Sequence, residues 1–347
     1  MPVIAISAPT RIADLGGWTD TWFSQRGVVC HIAVWPGVDV TIRPTEGPAG
    51  VEVRLHNFDR EWHWTPGTPP QVCPDPLVGA CLDESPVPDG AWQLEIGSRV
   101  PPGASMGTSA SLCVALLAAL DTLRAQCGIA QPEHAGAHDA RTLARRAHEV
   151  ETVRLRQQSG IQDQWAAAVG GINLLEMDEY PIGRHTALHV SDEVREALQR
   201  QFVVVLLERG HDSSAVHAQV VDALSEAGAH DPRLETLRTC AREGARALQE
   251  GDLQAYGALL TRNTEAQAAL QPALVSADAR AVMDVARDTG ALGWKVNGAG
   301  GGGGSLAVLT TDREAFTQRL ADNCPWASVI AVTLAAEGVR ETRHGGA

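Results

Sequence analysis

The chain has 347 residues, 44% of them hydrophobic, and 42 acidic against 28 basic side chains give it a formal charge of -14. That is length enough for two domains around continuous cores, and the acidic balance argues against nucleic acid or an anionic membrane surface as a partner. Seven cysteines without a CxxC pair argue against a disulfide framework and against a zinc site. Residues 3–8, 28–34, 38–43, 51–56 and 92–97 are short, rich in Val and Ile and bounded by Gly and Pro, which predicts strands. His56, Trp62, His63 and Trp64 lack metal-ligand spacing and read as an exposed loop or hairpin. The prolines between 66 and 90 predict an irregular excursion.

Helical spacing then takes over from Ser109 to Leu123 and from Ala140 to Gln157, with Thr108 and Asp139 placed as caps. The longest apolar run, Leu112 to Leu120, is far short of a bilayer span, and the start lacks the pattern of a leader, so a soluble cytoplasmic protein is expected. Arg141, Arg145 and Arg146 are interleaved with acids and predict a solvated face. A buried strand is predicted over 201–207, helices over 214–288, and strands over 292–296, 305–310 and 328–334. The polar stretch at 190–200 is the natural break, giving units at 1–195 and 196–340 and a frayed tail at 341–347.

Four segments carry chemistry. Val100-PPGASMGTSAS-Leu112 is a small-residue turn running into an apolar helix, where close backbone approach and a helix N-terminus favour an anion; a tight turn capped by Thr108 or Ser109 is the plainer alternative. It has no Walker A lysine. Lys295-VNGAGGGGGSLAVL sets a glycine run between two strands, which suits approach to a ligand better than a linker or a dinucleotide fold. Ser7-APTRIADLGGWTDTW crowds Arg11, Asp14 and Asp20 around a Gly16-Gly17 turn, suited to polyol hydroxyls, unless Asp20 only makes an Asx turn. Gly160-IQDQWAAAVGGIN offers Asp163, which by itself reads first as a helix cap. Trp18, Trp22, His31 and Trp35 belong either to a pocket or to the core.

In this order the segments resemble the GHMP kinases, the superfamily of galactokinase, homoserine kinase, mevalonate kinase and phosphomevalonate kinase. The middle loop is similar to the family's PxxxGLGSSAA phosphate loop and the glycine run to its GAGGGG motif. RIADLGGWTDT is similar to the RVDFAGGWSDT opening of fucokinases, and GIQDQWAAAVGGIN to a segment of heptose-phosphate kinases. The resemblance implies an α+β fold of two domains, one like domain 2 of ribosomal protein S5 and one ferredoxin-like, with the site between them. It implies phosphorylation of the anomeric hydroxyl of a sugar or sugar phosphate, with ATP and Mg2+ as cofactors. The rivals are an isoprenoid-pathway kinase on the same scaffold and a non-catalytic sugar sensor. Oligomeric state, a homodimer included, is left open.

The resemblance also assigns roles. Asp163 matches the catalytic aspartate and Arg11 its basic neighbour; in a loose phosphoryl-transfer transition state an ionised carboxylate suffices to accept the hydroxyl proton, and a guanidinium favours that charged form. Pro102, Gly103, Ala104, Ser105, Met106, Gly107, Thr108 and Ser109 match the phosphate loop, with Ser105, Met106 and Thr108 standing where the family has Gly, Leu and Ser. Ser109 and Glu151 match the magnesium ligands. Glu149 lies four residues after Arg145 on the charged face of the helix, which favours Glu151 for the metal. Gly17, Trp18, Thr19 and Asp20 of the opening, with Gly300 and Gly301 of the run, match substrate contacts.

Overall fold

The structure, a computed structural model, describes residues 3–129, 139–207, 220–222, 224 and 228–342. The first sheet is built on two long strands, β1 (Ile4–Leu15) and β2 (Gly27–Pro44), paired antiparallel from Ile4↔Ile42 to Leu15↔Cys30. β5 (Ala91–Ser98) lies beside β2, then β3 (Gly50–Leu55) and β4 (Arg60–Trp64) form the expected hairpin at that edge. β6 (Ile172–Glu179) pairs with the other end of β2 and with β7 (Ile182–Ala187).

The two halves of β1 and β2 serve different cores, because the register shift between Ala8 and Thr10 turns the paired strands over. Ile4, Ile6, Val38, Val40 and Ile42 pack with α1 (Pro76–Glu84), α2 (Thr108–Gln126), α3 (Ala140–Glu149) and α4 (Gln162–Val169). Ile12, Leu15, Cys30, Ile32 and Val34 pack on the other side against Cys240, Ala241, Tyr256 and Leu260 of the second unit. α2 is buried nearly all round, as a helix without a polar face must be.

The second sheet runs β11-β8-β10-β9, all antiparallel: β8 (Phe202–Leu207), β9 (Gly293–Val296), β10 (Ser305–Leu309) and β11 (Ala327–Ile330). α5 (Asp192–Gln201) occupies the expected break, and α6 (Pro232–Glu250), α7 (Leu253–Leu270), α8 (Ala277–Asp288) and α9 (Arg313–Asn323) complete this unit. The helical stretch expected from 214 lies partly outside the described residues.

Three expectations are corrected. The proline-rich excursion holds α1, because Asp75 accepts from Leu77 N and Val78 N at 3.1 Å and Pro76 at the first helical position needs no hydrogen bond. Arg146 is not on a solvated face: it is buried and bidentate to Asp121, at 2.5 and 3.3 Å. The predicted strand 328–334 divides between the sheets. β12 (Thr333–Leu334) returns to pair with β2, and β13 (Arg340–Glu341) pairs with β1, so this stretch joins the first sheet rather than the second unit. The start of the expected tail is therefore ordered, with Thr342 N donating to Ala5 O at 2.8 Å.

Candidate active site

The expected catalytic pair meets across 152 residues of sequence. Arg11, on β1, is almost wholly buried; its Nε and Nη2 donate to the two carboxylate oxygens of Asp163 at 2.8 and 3.1 Å, and its Nη1 donates to Ser105 O. Asp163 sits in the first turn of α4 with its side chain 28% exposed into a cavity of about 420 Å³. The small-residue loop, from Gly103 to Ser109, forms the floor, and Arg11 N donates to Met106 O at 3.0 Å, which locks the loop to the strand that carries the arginine. Gly107, at φ 77°, precedes the first residue of α2; a Cβ there would come within 3.1 Å of the Asp163 carboxylate, so only glycine lets helix and acid approach.

The expected metal pair also comes together. Ser109 Oγ donates to Glu151 Oε1 at 3.2 Å, and Ser159 Oγ and Gln164 Nε2 donate to Oε2 at 2.9 and 2.5 Å. Glu149 is exposed and taken up by Arg145 at 2.8 Å. Glu151 belongs to a turn of π-helix, Val150–Arg154, that ends α3 and swings it inward, a feature often found at functional sites. Burial pushes the Glu151 carboxyl up to about 7, helped by the Asp163 charge and opposed by the hydroxyl and amide donors.

The substrate assignments divide. Trp18 and Asp20 line the cavity, joined by Thr21, Gln158, Ser159 and Gln162, which the sequence reading passed over. Asp20 has one of its two carboxylate oxygens already engaged. Its Oδ2 accepts from Ile161 N and Gln162 N, both at 2.9 Å, so it caps α4 from a distant loop; burial above all raises it to about 6. Gly17 and Thr19 do not reach the cavity: Gly17 packs beside Asp14, and Thr19 Oγ donates to Gly16 O at 2.7 Å within the turn. In the glycine run it is Gly298 and Ala299 that face the cavity. Gly300 abuts Leu274 O, and Gly301 N donates to Leu274 O at 2.9 Å, so these two hold the run to the second unit. His31 is buried, Trp22 and Trp35 are half-buried, and none of the three lines the cavity.

A buried polar seam, missed in the sequence, fixes the opening segment to the second unit. Lys295 and Asp14 are both fully buried, with Nζ 3.5 Å from Oδ1, and Gly298 N donates to the Asp14 carboxylate at 3.1 to 3.2 Å. Burial alone would raise Asp14, but Lys295 and Arg11 bring it below the ordinary carboxylate range. Ala13 N donates to Asn297 Oδ1 at 2.9 Å and Gly16 N to Asn263 Oδ1 at 2.7 Å. Lys295 borders the glycine run in sequence, and that adjacency was the available signal. A second cavity of about 260 Å³ adjoins the loop, walled by Val38, Leu55, Phe58, Ile96, Pro102 and Leu112 and sharing Gly103, Thr108 and Ser109 with the first. Pro102 thus faces this apolar cavity and not the phosphate floor.

Comparison with known proteins agrees with this layout. The model of the GHMP kinases N terminal domain matches residues 77–171 and that of the GHMP kinases C terminal domain residues 245–325, together about half of the chain. An L-fucokinase/L-fucose-1-P guanylyltransferase of Bacteroides fragilis is 23% identical over 97% of this chain, which spans only 38% of that longer protein. A mevalonate kinase of Methanothermobacter thermautotrophicus is 28% identical over 66% of this chain and 68% of its own length. In fold, the chain is similar to a D-glycero-D-manno-heptose 1-phosphate kinase from Bacteroides thetaiotaomicron, with a TM-score of 0.73, 18% identity and coverage of 99% and 100% of the two chains. With both domain models matched in order on a two-unit α+β fold, the chain belongs to the GHMP kinases.

Proposed function

We propose that this protein transfers the γ-phosphoryl group of ATP to the anomeric hydroxyl of an uncharged sugar. The observation that carries the reading is the Arg11–Asp163 pair standing over the phosphate loop, with Ser109 and Glu151 lining the same cavity. The triphosphate lies on the N-terminus of α2, where free N–H groups and the helix dipole favour anions. The adenine occupies the apolar cavity beside Pro102 and Leu112. Asp163 accepts the proton of the attacking hydroxyl, and Arg11 holds that carboxylate in position and offsets charge on the phosphoryl group.

Ser109 and Glu151 fit Mg2+, which takes one or two carboxylates and fills its remaining positions with phosphate oxygens and water. The metal would supply charge neutralisation at the β- and γ-phosphates. Glu151→Gln is expected to lose most magnesium-dependent turnover, by roughly 100-fold or more. The same variant is expected to be more stable than the parent at pH 8 without metal. A Glu whose folded pKa is raised from 4.5 to about 7 gives stability that is present at low pH and lost as pH rises through 7, and Gln removes that loss. Urea midpoints at pH 5 and pH 8 check this: the gap between variant and parent widens at pH 8, and an equal gap at both would contradict it.

The acceptor end favours a polyol without a phosphate. Among the described lining residues it brings Asp20, Asp163 and the neutral Thr21, Gln158 and Ser159, and its one cation, Arg11, is already engaged by Asp163. An acceptor phosphate would find no free cation among the described lining residues and would face the Asp20 carboxyl. The named activity of the fucokinase relative supports a sugar acceptor. Initial rates of ADP release are expected to give neutral sugars a kcat/KM at least about tenfold above any sugar phosphate; the reverse order would overturn the choice.

A further inference from the structure

Ser105 is the one loop residue between Pro102 and Ser109 that holds a side chain in the left-handed region, at φ 56°. L-residues avoid that region, and glycine would take the turn without strain, as Gly103 and Gly107 do on either side at φ 79° and 77°. Three contacts impose the conformation. Arg11 Nη1 donates to Ser105 O, and the side chain is wedged between two glycines of the C-terminal run. A Cβ on Gly298 would lie 3.3 Å from Ser105 Cβ, and one on Gly304 would lie 2.9 Å from Ser105 Oγ. Both glycines have positive φ, at 61° and 87°, so the run is bent and stripped of side chains where the serine enters it. Ser105 lines the cavity next to Arg11, Asp163 and Gly298, and its hydroxyl donates to no protein group among the described residues.

Strain of this kind persists where the surroundings enforce it, and it clusters at ligand clamps. Ser105 stands in the middle of the loop, with its carbonyl on Arg11, and takes no part in the apolar cavity that Pro102, Gly103, Thr108 and Ser109 line. We infer that Ser105 Oγ donates a hydrogen bond to the phosphoryl group during its transfer, adding a side-chain donor to a loop that otherwise holds phosphate by its backbone. This rests on the kinase reading above and goes further by naming the residue that distinguishes transition state from bound nucleotide.

The test compares the parent with Ser105→Ala and Ser105→Gly, measuring kcat, KM for ATP and the urea unfolding midpoint. Both variants are expected to lose roughly 10- to 100-fold in kcat, with KM for ATP changed by no more than about threefold. Ser105→Gly should also unfold at a higher urea concentration than Ser105→Ala, because it relieves the strain; activity falls while stability rises, which a merely structural serine would not produce. A kcat within about twofold of the parent in both variants would overturn the contact and leave the kinase reading standing. Absence of turnover in the parent with every acceptor would overturn both.

Discussion

Asp163→Asn is expected to lower kcat by roughly 100- to 10,000-fold, the range lost when a positioned proton acceptor is removed. The amide keeps the shape of the carboxylate and one acceptor oxygen for Arg11, so the cavity and the loop should hold their geometry. In the proposed mode ATP would contact the loop, the helix N-terminus and the apolar cavity, none of which Asp163 supplies, so KM for ATP should move by no more than about threefold. The variant also leaves a buried guanidinium with less compensation, although Asp14 and Asp20 still contribute. A modest fall in the unfolding midpoint should accompany the loss, on the order of 1–3 kcal/mol. Steady-state kinetics at saturating ATP and acceptor check the first expectation, and near-parental kcat would remove Asp163 from the role of base.

The second large effect is on stability. Lys295→Met is expected to destabilise the fold by about 3–5 kcal/mol, the cost of leaving a buried charge without its partner. Asp14 is fully buried, and the Arg11 charge and the Gly298 N donation that remain do not replace the adjacent ammonium. Lys295 Nζ also donates to Gln267 Oε1 at 3.0 Å and to Val296 O, so the change opens the join between the glycine run and α7 as well. Combining it with Asp14→Asn removes both charges and should recover part of the loss, because neutral groups of similar shape tolerate burial better than one unpaired ion. Urea denaturation of the two single variants and the double variant gives the coupling directly. A double variant less stable than Lys295→Met alone would contradict the charge-pair account.

What was legible in the sequence was local. The phosphate loop and the glycine run announce themselves because close approach to a ligand needs small residues, and small residues in a row are visible. Glu151 was separable from Glu149 because Arg145 stands one helical turn before Glu149 and claims it. Even there the inward swing comes from a π-helical turn that spacing alone does not reveal. α1 was hidden by the density of prolines, although Asp75-Pro76 is a good helix start.

The rest depends on contacts between distant residues. Asp20 reads as a polyol ligand from its neighbours, yet it caps a helix that begins 142 residues later. Gly17 and Thr19 share a turn with cavity residues but face inward, since the β1 register shifts between Ile12 and Leu15, with Ala13 at φ 55°. The pairing of Asp14 with Lys295, and the return of β12 and β13 to the first sheet, are set only when the two units pack on Ile12, Cys30 and Ile32.

The proposed reaction is phosphoryl transfer from ATP to a sugar hydroxyl. Phosphorus NMR of the protein incubated with ATP, Mg2+ and a panel of neutral sugars tests it most directly. The account predicts ADP together with a new phosphate-ester resonance coupled to an anomeric proton, formed in equal amounts and only with the correct sugar. ATP left intact with every sugar and sugar phosphate, or phosphorus released only as inorganic phosphate, would contradict it.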